Sequence, residues 1–212
     1  MKRILLACAA MAVATGAKAA TFLFDFSLAP HRDNIGNTET YTTGGLTIYA
    51  SGFNWTGGTA DLFGKHGSGD EKGLGLANDP TGDDEIHYHS GFVQLDMSNL
   101  FGRVSPATLM FGTNSTTQGE VWKVYGTNTA ASLAGGTPVA TGSNEGNHLL
   151  PGLGLYRYYD FVETAQAGGQ NFLITSVSGA TAPEPASWAL MIAGFGGLGV
   201  MMRRRRALAL AA

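Results

Sequence analysis

The chain has very little cysteine: one residue in 212, Cys8, which lies in an apolar stretch near the N-terminus. Everything after it therefore lacks a thiol, which excludes disulfides and cysteine-based metal sites. Charged residues are also scarce, at 14%, whereas glycine occurs 31 times. Short apolar runs separated by Gly, Thr, Ser and Asn are typical of an all-β protein with many turns.

Basic residues are few in the middle of the chain. Residues 20–182 contain six Lys or Arg against 15 Asp or Glu, a net charge of about −9. Such a surface repels phosphate backbones and anionic lipid, so we expect no nucleic-acid partner. It remains compatible with cations, Ca²⁺ above all, and with neutral sugars.

The common catalytic motifs are missing as well. The sequence has no Gly-x-Ser-x-Gly elbow, no phosphate-binding loop and no His-Glu-x-x-His helix. A glycoside hydrolase needs two opposed carboxylates in a cleft, and Asp84 and Glu85 are candidates only because they are acids. We therefore expect a protein that is not an enzyme, with a secreted hydrolase as the least favoured alternative.

Residues 1–19 have the three parts of a secretory signal peptide. Two basic residues precede a short apolar stretch, and small residues at Ala17 and Ala19 precede Ala20. The apolar stretch is too short to anchor the chain in a bilayer. We expect signal peptidase to cleave after Ala19; lipidation at Cys8 is disfavoured because too few apolar residues precede it.

The C-terminal end has the pattern of a membrane anchor. Residues 186–202 form an uncharged run of about 17, near the lower limit for a transmembrane helix. Trp188 suits the outer interface, and a basic cluster suits the cytoplasmic side. The pattern predicts a single-pass helix over 186–202 with its N-terminal side outside and a short cytoplasmic tail over 207–212. The cluster comprises Arg203, Arg204, Arg205 and Arg206.

A more specific pattern overlaps this anchor. Pro183, Glu184 and Pro185 are followed by Trp188 and Ala189, a glycine-rich apolar span and the arginine cluster. This order resembles the PEP-CTERM sorting signal, in its PEPxxWA variety, over about 25 residues; the tail after the arginines is longer than usual. The segment is also named after the C-terminal region of ice-binding proteins, a name that says nothing about ice here.

The resemblance implies recognition by a membrane-embedded exosortase and cleavage near the Pro-Glu-Pro element. The protein would lie in the inner membrane before processing, and would then be released or transferred to the cell surface. An ordinary single-span anchor without a sorting enzyme is the alternative, because both need apolar residues and cytoplasmic arginines. The Pro-Glu-Pro element favours the sorting signal.

Residues 20–182 read as a series of short alternating strands separated by turn-forming residues. This spacing predicts an ectodomain that folds as a two-sheet β-sandwich, jelly-roll-like. We expect the stretch 127–151, which has few bulky residues, to be a long surface loop. The predicted strands are Thr21–Leu28, Gly45–Phe53, Thr59–Phe63, Phe92–Met97, Ala107–Phe111, Glu120–Tyr125, Leu153–Val162 and Asn171–Val177.

Residues 70–86 form an acidic loop with six acids against one lysine. Carboxylate and amide oxygens on a glycine-rich loop are the ligands that Ca²⁺ prefers, although the EF-hand order is absent. The alternative is a solvated loop with no ion. The candidate calcium ligands are Asp70, Glu71, Asn78, Asp79, Asp83, Asp84 and Glu85.

Two tyrosines are candidates for stacking on sugar rings. In an extended strand Tyr156 and Tyr158 share one face, together with Asp160. The alternative is that they pack at the rim of the sandwich with wet hydroxyls. His87 and His89 have a spacing that zinc can use, but the pattern predicts no third ligand, which favours a pair of exposed polar side chains.

Together these patterns predict an exported, non-catalytic surface or extracellular-matrix protein. Its ectodomain would bind polysaccharide or contribute to a biofilm matrix, with Ca²⁺ holding the acidic loop. A structural or adhesive protein that contacts other proteins through exposed sheet edges is the second reading.

Overall fold

The structure, a computed structural model, describes residues 19–28, 34–66, 71–77, 82–116, 119–165, 170–182, 191–200 and 203. The chain divides into two units, and Ala20–Ala182 is one of them. In the other, residues 191–200 are helical. Among the described residues no helix combines the length and the apolar character needed to cross a membrane.

Much of the two predicted end signals lies outside the described residues. For the signal peptide this is all of residues 1–18; Ala19 and Ala20 are described and exposed. For the sorting signal, the described part is the helix over 191–200 and the helical Arg203. The remaining predicted residues, Ala17, Pro183, Glu184, Pro185, Trp188, Ala189, Arg204, Arg205 and Arg206, lie outside it.

The unit Ala20–Ala182 is built from strands in its described part, with short 3₁₀ helices at Phe26–Leu28, Ser98–Leu100 and Pro106–Thr108. The strands are β1 (Thr21–Asp25), β2 (Asn34–Gly36), β3 (Thr38–Thr43), β4 (Leu46–Asn54), β5 (Thr59–Ala60), β6 (Leu62–His66), β7 (Lys72–Leu76), β8 (Ile86–His87), β9 (Gly91–Asp96), β10 (Met110–Asn114), β11 (Trp122–Thr127), β12 (Thr137–Gly142), β13 (Gly146–Leu149), β14 (Tyr158–Glu163) and β15 (Asn171–Ala180).

These strands form two antiparallel sheets. The first has the order β13-β10-β15-β7-β6-β2, with β1 and β8 also paired to β15. The second has the order β12-β11-β14-β9-β4-β3, with β5 paired to β4. The prediction of an all-β protein with two sheets is confirmed; its jelly-roll form stays a prediction.

One hydrophobic core lies between the sheets. On β1, Phe22 and Phe24 are buried, and on β4, Leu46, Ile48 and Ala50 are buried, each set at alternate positions. This period of two is what a strand with one buried face requires. The alternation read from the sequence therefore identified the core face of both strands.

Several sequence predictions are wrong in their bounds. The strand expected over Thr21–Leu28 ends at Asp25, where a 3₁₀ helix begins. The strand expected over Thr59–Phe63 is divided between β5 and β6, which belong to different sheets. The strand expected over Ala107–Phe111 begins only at Met110, because Pro106 opens a 3₁₀ turn. The strand expected over Leu153–Val162 begins at Tyr158; Gly152 and Gly154 have φ of +89° and +92°, which suits a turn. The expected loop over 127–151 contains β12 and β13.

The two ends of this unit lie side by side. The Thr181 N–H donates to the Ala20 carbonyl over 2.8 Å, and the Ala182 N–H donates to the Arg103 carbonyl over 2.8 Å. The Arg103 guanidinium in turn donates to the carbonyl of Gly45 over 2.8 Å, just before β4. Trp55 follows the opposite end of β4, a strand of nine residues that is roughly 30 Å long.

Candidate ligand-binding cleft

A tight turn after β4 displays Trp55 to solvent. The Asn54 side-chain oxygen accepts the N–H groups of Thr56 and Gly58 over 3.0 and 2.9 Å, and so closes the turn on itself. Short polar side chains form such turns readily. The indole between them remains 39% exposed, although tryptophan is usually largely buried.

The Trp55 ring stacks on a histidine from a second turn. The centroids of Trp55 and His89 lie 4.5 Å apart, with their planes 13° from parallel. The Tyr88 ring lies 4.1 Å from His89. His89 has a φ of +57°, a conformation that costs a non-glycine residue free energy. The contacts of its ring hold the indole in one orientation.

A cleft of about 200 Å³ opens beside this stack. One wall is the Trp55 turn with Phe92, and the other is the loop over 128–136, through Ala131–Ala134. The two walls approach closely at Gly57, where a β-carbon would lie 2.8 Å from the carbonyl oxygen of Ala131. The residues that line the cleft bear no charge.

A buried polar pair lies on the sheet face beneath the loop 128–136. Gln94 Nε2 donates to Asp160 Oδ1 over 2.7 Å, and Gln94 Oε1 accepts the Ala131 N–H over 3.2 Å. Asp160 is fully buried and Gln94 is 3% exposed. Burial raises the pKa of Asp160 to about 7, against the opposing hydrogen bond from Gln94.

The two predicted stacking tyrosines do not form one face. Tyr156 precedes β14, and its ring packs against the backbone at Gly126 and Gly152, where added β-carbons would overlap it. Tyr158 is half-buried beside the Arg157 guanidinium, 4.9 Å from its ring centroid. Tyr156 is thus partly buried and packs against the core, and sugar stacking by either tyrosine stays a prediction.

A lysine on β6 reaches two acids of the predicted calcium loop. The Lys65 ammonium pairs with Glu71 over 2.6 Å and also with Glu85. Glu85 is 1% exposed; burial raises the pKa of its carboxyl, opposed chiefly by the hydrogen bond from Lys65. Burial lowers the pKa of Lys65, but hydrogen bonds to both glutamates outweigh it and raise the pKa. The ammonium supplies a cation between these two acids.

The other predicted calcium ligands are spread along the loop. Asp83 Oδ2 accepts from the Asn171 amide over 3.2 Å, and Asp84 has a φ of +59°. In the described ranges no three His, Cys, Asp or Glu residues lie together in a way that could hold a metal. The calcium site stays a prediction, since Asp70, Asn78 and Asp79 lie outside the described residues.

The histidine pair is also separated. His87 lies on the short strand β8, whereas His89 lies in the turn that follows, so the two do not share a strand face. Sequence reasoning missed Trp55 and His89 as partners. The available signal was a tryptophan among turn-forming residues, in Asn54-Trp55-Thr56-Gly57-Gly58, where a large aromatic ring has no strand face to bury it.

Comparison with known proteins gave one match. Residues 181–206 match the family model of the PEP-CTERM protein-sorting motif. No curated protein and no solved structure matches the chain. The match begins at Thr181, the residue whose N–H pairs with Ala20. The chain therefore bears the PEP-CTERM sorting motif, which indicates an exported protein that is sorted by an exosortase after membrane-anchored transit.

Proposed function

We propose that the unit Ala20–Ala182 is a non-catalytic module that binds neutral polysaccharide at the Trp55 cleft, on the cell surface or in the extracellular matrix. The observation behind this proposal is the exposed indole, held by its stack on His89 at the wall of the cleft. The face of a sugar ring presents apolar C–H groups, which pack well on a flat aromatic surface.

The size and charge of the cleft favour one neutral sugar unit. Sites for drug-sized ligands span about 300–1,000 Å³, so a cleft of about 200 Å³ suits a smaller group. Its lining offers the hydroxyls of Thr56 and Ser132 beside the apolar Phe92 and Leu133. The excess of acids over residues 20–182 would repel uronic acids and other anionic sugars.

The sorting motif supports a place outside the cytoplasm for this activity. A single membrane pass with the ectodomain outside, followed by exosortase cleavage near Pro183, Glu184 and Pro185, would deliver the sandwich to the surface. The arginine cluster would remain on the cytoplasmic side. A polysaccharide outside the cell would then be available as a ligand.

Binding is tested with the purified full-length chain in detergent on an array of neutral and acidic glycans. We expect the wild type to bind neutral glycans, and Trp55→Ala to lose at least about tenfold in affinity. The matched control is Phe101→Ala, because Phe101 is 37% exposed and lies outside the cleft. Equal binding by Trp55→Ala and the wild type would refute the site.

The same array separates the adhesive alternative. A wild type that binds no glycan, yet captures another surface protein through an edge strand such as β3 or β12, favours the second reading. Adding a calcium chelator shows whether binding needs the ion predicted for the acidic loop.

Sorting is tested in the host by the mass of the mature protein. We expect Glu184→Ala to prevent the mass loss that accompanies cleavage near the motif, while removal of residues 1–19 still proceeds. A reporter fused before Pro183 should lie outside the cytoplasm. Its presence in the cytosol would overturn the proposed topology.

A further inference from the structure

We propose that the ionisation of Asp160 controls the position of the loop 128–136, and through it the width of the Trp55 cleft. This inference concerns regulation of the cleft for which we propose sugar binding. It starts from three linked groups that lie in different parts of the chain: Asp160 on β14, Gln94 on β9 and the backbone of Ala131 in the loop.

The Gln94 amide has one orientation that satisfies both neighbours. A carboxyl oxygen accepts, so the amide Nε2 must face Asp160; a backbone N–H donates, so the amide oxygen must face Ala131. Gln94 therefore connects the carboxyl group to the loop. Rotation of the amide away from Asp160 also breaks its bond to Ala131.

Ala131 transmits this connection to the cleft. It lines the cleft, and its carbonyl oxygen meets the turn of Trp55 at Gly57. Its φ is +57°, a strained conformation for alanine that persists only where surrounding contacts hold it. Gln94 stays bonded to the ionised carboxyl group, so it is movement of Ala131 away from the Gln94 oxygen that removes one of those contacts.

The carboxyl group itself is poorly placed to hold a charge. Asp160 is fully buried, and within the described residues its Oδ2 atom has no hydrogen-bond partner. A buried carboxylate with a single hydrogen bond costs much more free energy than the neutral acid in the same place. If the loop lifts, water can reach Oδ2 and stabilise the charge. Ionisation of Asp160 and opening of the loop therefore favour each other.

Other titratable groups on this face of the sheet do not alter the coupling between ionisation of Asp160 and opening of the loop. On β9, Asp96 pairs with Arg157 over 2.7 Å. On β11, Lys123 lies over the ring of Tyr125, 5.8 Å from its centroid, and Tyr158 precedes Asp160 by two residues on β14. The loop residues 128–136 are all uncharged. Because burial raises the pKa of Asp160 to about 7, the change falls near neutral pH, with the cleft closed below that value and opened above it.

The test measures exposure of Trp55 directly and needs no sugar. Acrylamide quenches an accessible indole, so we follow the fluorescence of the full-length chain with Trp188→Phe, from about pH 5 to about pH 9. Subtracting the same chain with Trp55→Phe removes the signal of buried Trp122. We expect the quenching constant of Trp55 to rise roughly twofold across neutral pH.

Two variants separate the proposed connection from a general effect of pH. Asp160→Asn stays neutral and should hold the quenching constant at its low-pH value throughout. Gln94→Leu removes the link to Ala131 and also the hydrogen bond that favours the ionised carboxyl group of Asp160, so its quenching should not change near pH 7. Asp96→Asn is the matched control on the same face and should respond like the wild type.

The outcomes are decisive in both directions. A wild-type quenching constant that is flat across this range, or an unchanged pH response in Asp160→Asn, overturns the proposal. Since acrylamide replaces the sugar as probe, failure here leaves the proposed glycan binding to its own test. Loss of the response in both variants, with its retention in Asp96→Asn, establishes the connection.

Discussion

The indole of Trp55 and the imidazole of His89 lie face to face, 4.5 Å apart and 13° from parallel. They belong to two turns separated by a strand-rich stretch of sequence. The turns meet because β4 and β9 pair in a register that places Asn54 opposite Gly91. The register of the sheet therefore creates the aromatic wall of the cleft. Local sequence preference does not.

Comparison of glycine with alanine at position 89 should separate the cost of the backbone conformation from the contribution of the ring stack. Glycine adopts the φ of +57° without strain, whereas alanine retains a cost of about 1 kcal/mol. Both variants lose the stack, worth about 1 kcal/mol. We expect His89→Gly to melt at a higher temperature than His89→Ala, while glycan affinity falls about fivefold in both. A more stable His89→Ala would show that the backbone here is unstrained.

Tyr156 should matter for stability and not for binding. Its ring packs against the core and the backbone of Gly126 and Gly152, so Tyr156→Ala should cost about 2–4 kcal/mol in urea unfolding. Gly126→Ala should act in the same direction by displacing the ring. By contrast, Trp55→Ala should change stability by less than about 0.5 kcal/mol and lose glycan binding. Reduced binding by folded Tyr156→Ala would restore the tyrosine as a ligand contact.

We expect Lys65 to stabilise the folded protein through its ion pairs with the acidic loop. Lys65→Met removes the ammonium that pairs with Glu85, which is 1% exposed, and loss of one partner of a buried pair costs about 3–5 kcal/mol. Lys65→Met combined with Glu85→Gln should recover much of this loss, because no buried charge remains. Urea unfolding at neutral pH measures both variants.

Calcium adds a second readout to the same variants. If Lys65 supplies the cation that the acids need, calcium should raise the melting temperature of Lys65→Met more than that of the wild type. Equal calcium responses, both positive, would instead favour the ion site predicted with Asp70, Asn78 and Asp79. No response in either would remove calcium from this loop.

The sequence predicted the core strands better than the cleft. Alternation places Phe22 and Phe24 on one buried face, and Leu46, Ile48 and Ala50 on another, because a half-buried strand imposes a period of two on its own residues. The C-terminal motif is similarly local, and its match at residues 181–206 agrees with the resemblance seen in the sequence.

The cleft depends on contacts between residues that are distant in sequence. Gln94 and Asp160 are 66 positions apart, and Gln94 and Ala131 are 37 apart. Asp160 is fully buried, and its hydrogen-bond partner Gln94 also holds the backbone of the loop 128–136. Lys65 meets Glu85 because β6, β7 and the acidic loop fold onto one another. The periodicity of a single segment gives no information about contacts between segments that are distant in sequence.

Asp160 should also make the stability of the fold depend on pH in a recognisable direction. Its pKa is about 7 in the folded protein and about 3.9 in an unfolded chain. The folded state therefore binds the proton more tightly, so this stabilisation is complete below about pH 4 and is lost as pH rises to about 7, by up to about 4 kcal/mol.

The control for this pH dependence is Asp96→Asn, which should behave in the opposite way. Burial raises the pKa of Asp96, but hydrogen bonds from Arg157 and Ser98 outweigh it and lower the pKa. The ionised Asp96 carboxylate therefore stabilises the fold above its unfolded pKa, and this contribution is lost as pH falls. Asp96→Asn should accordingly be less stable than the wild type at pH 8.

In the Asp160→Asn variant, the asparagine keeps an oxygen that accepts from Gln94, but it cannot ionise. This variant should therefore be more stable than the wild type at pH 8. The difference in stability should fade as pH falls towards 4. Burial also raises the pKa of Glu85 and of Glu163, and both give the same sign. The difference between Asp160→Asn and the wild type in urea unfolding, measured at each pH, removes their contribution. A stability difference for Asp160→Asn that does not vary with pH would mean that this carboxyl group is ionised, and solvated, in the folded protein.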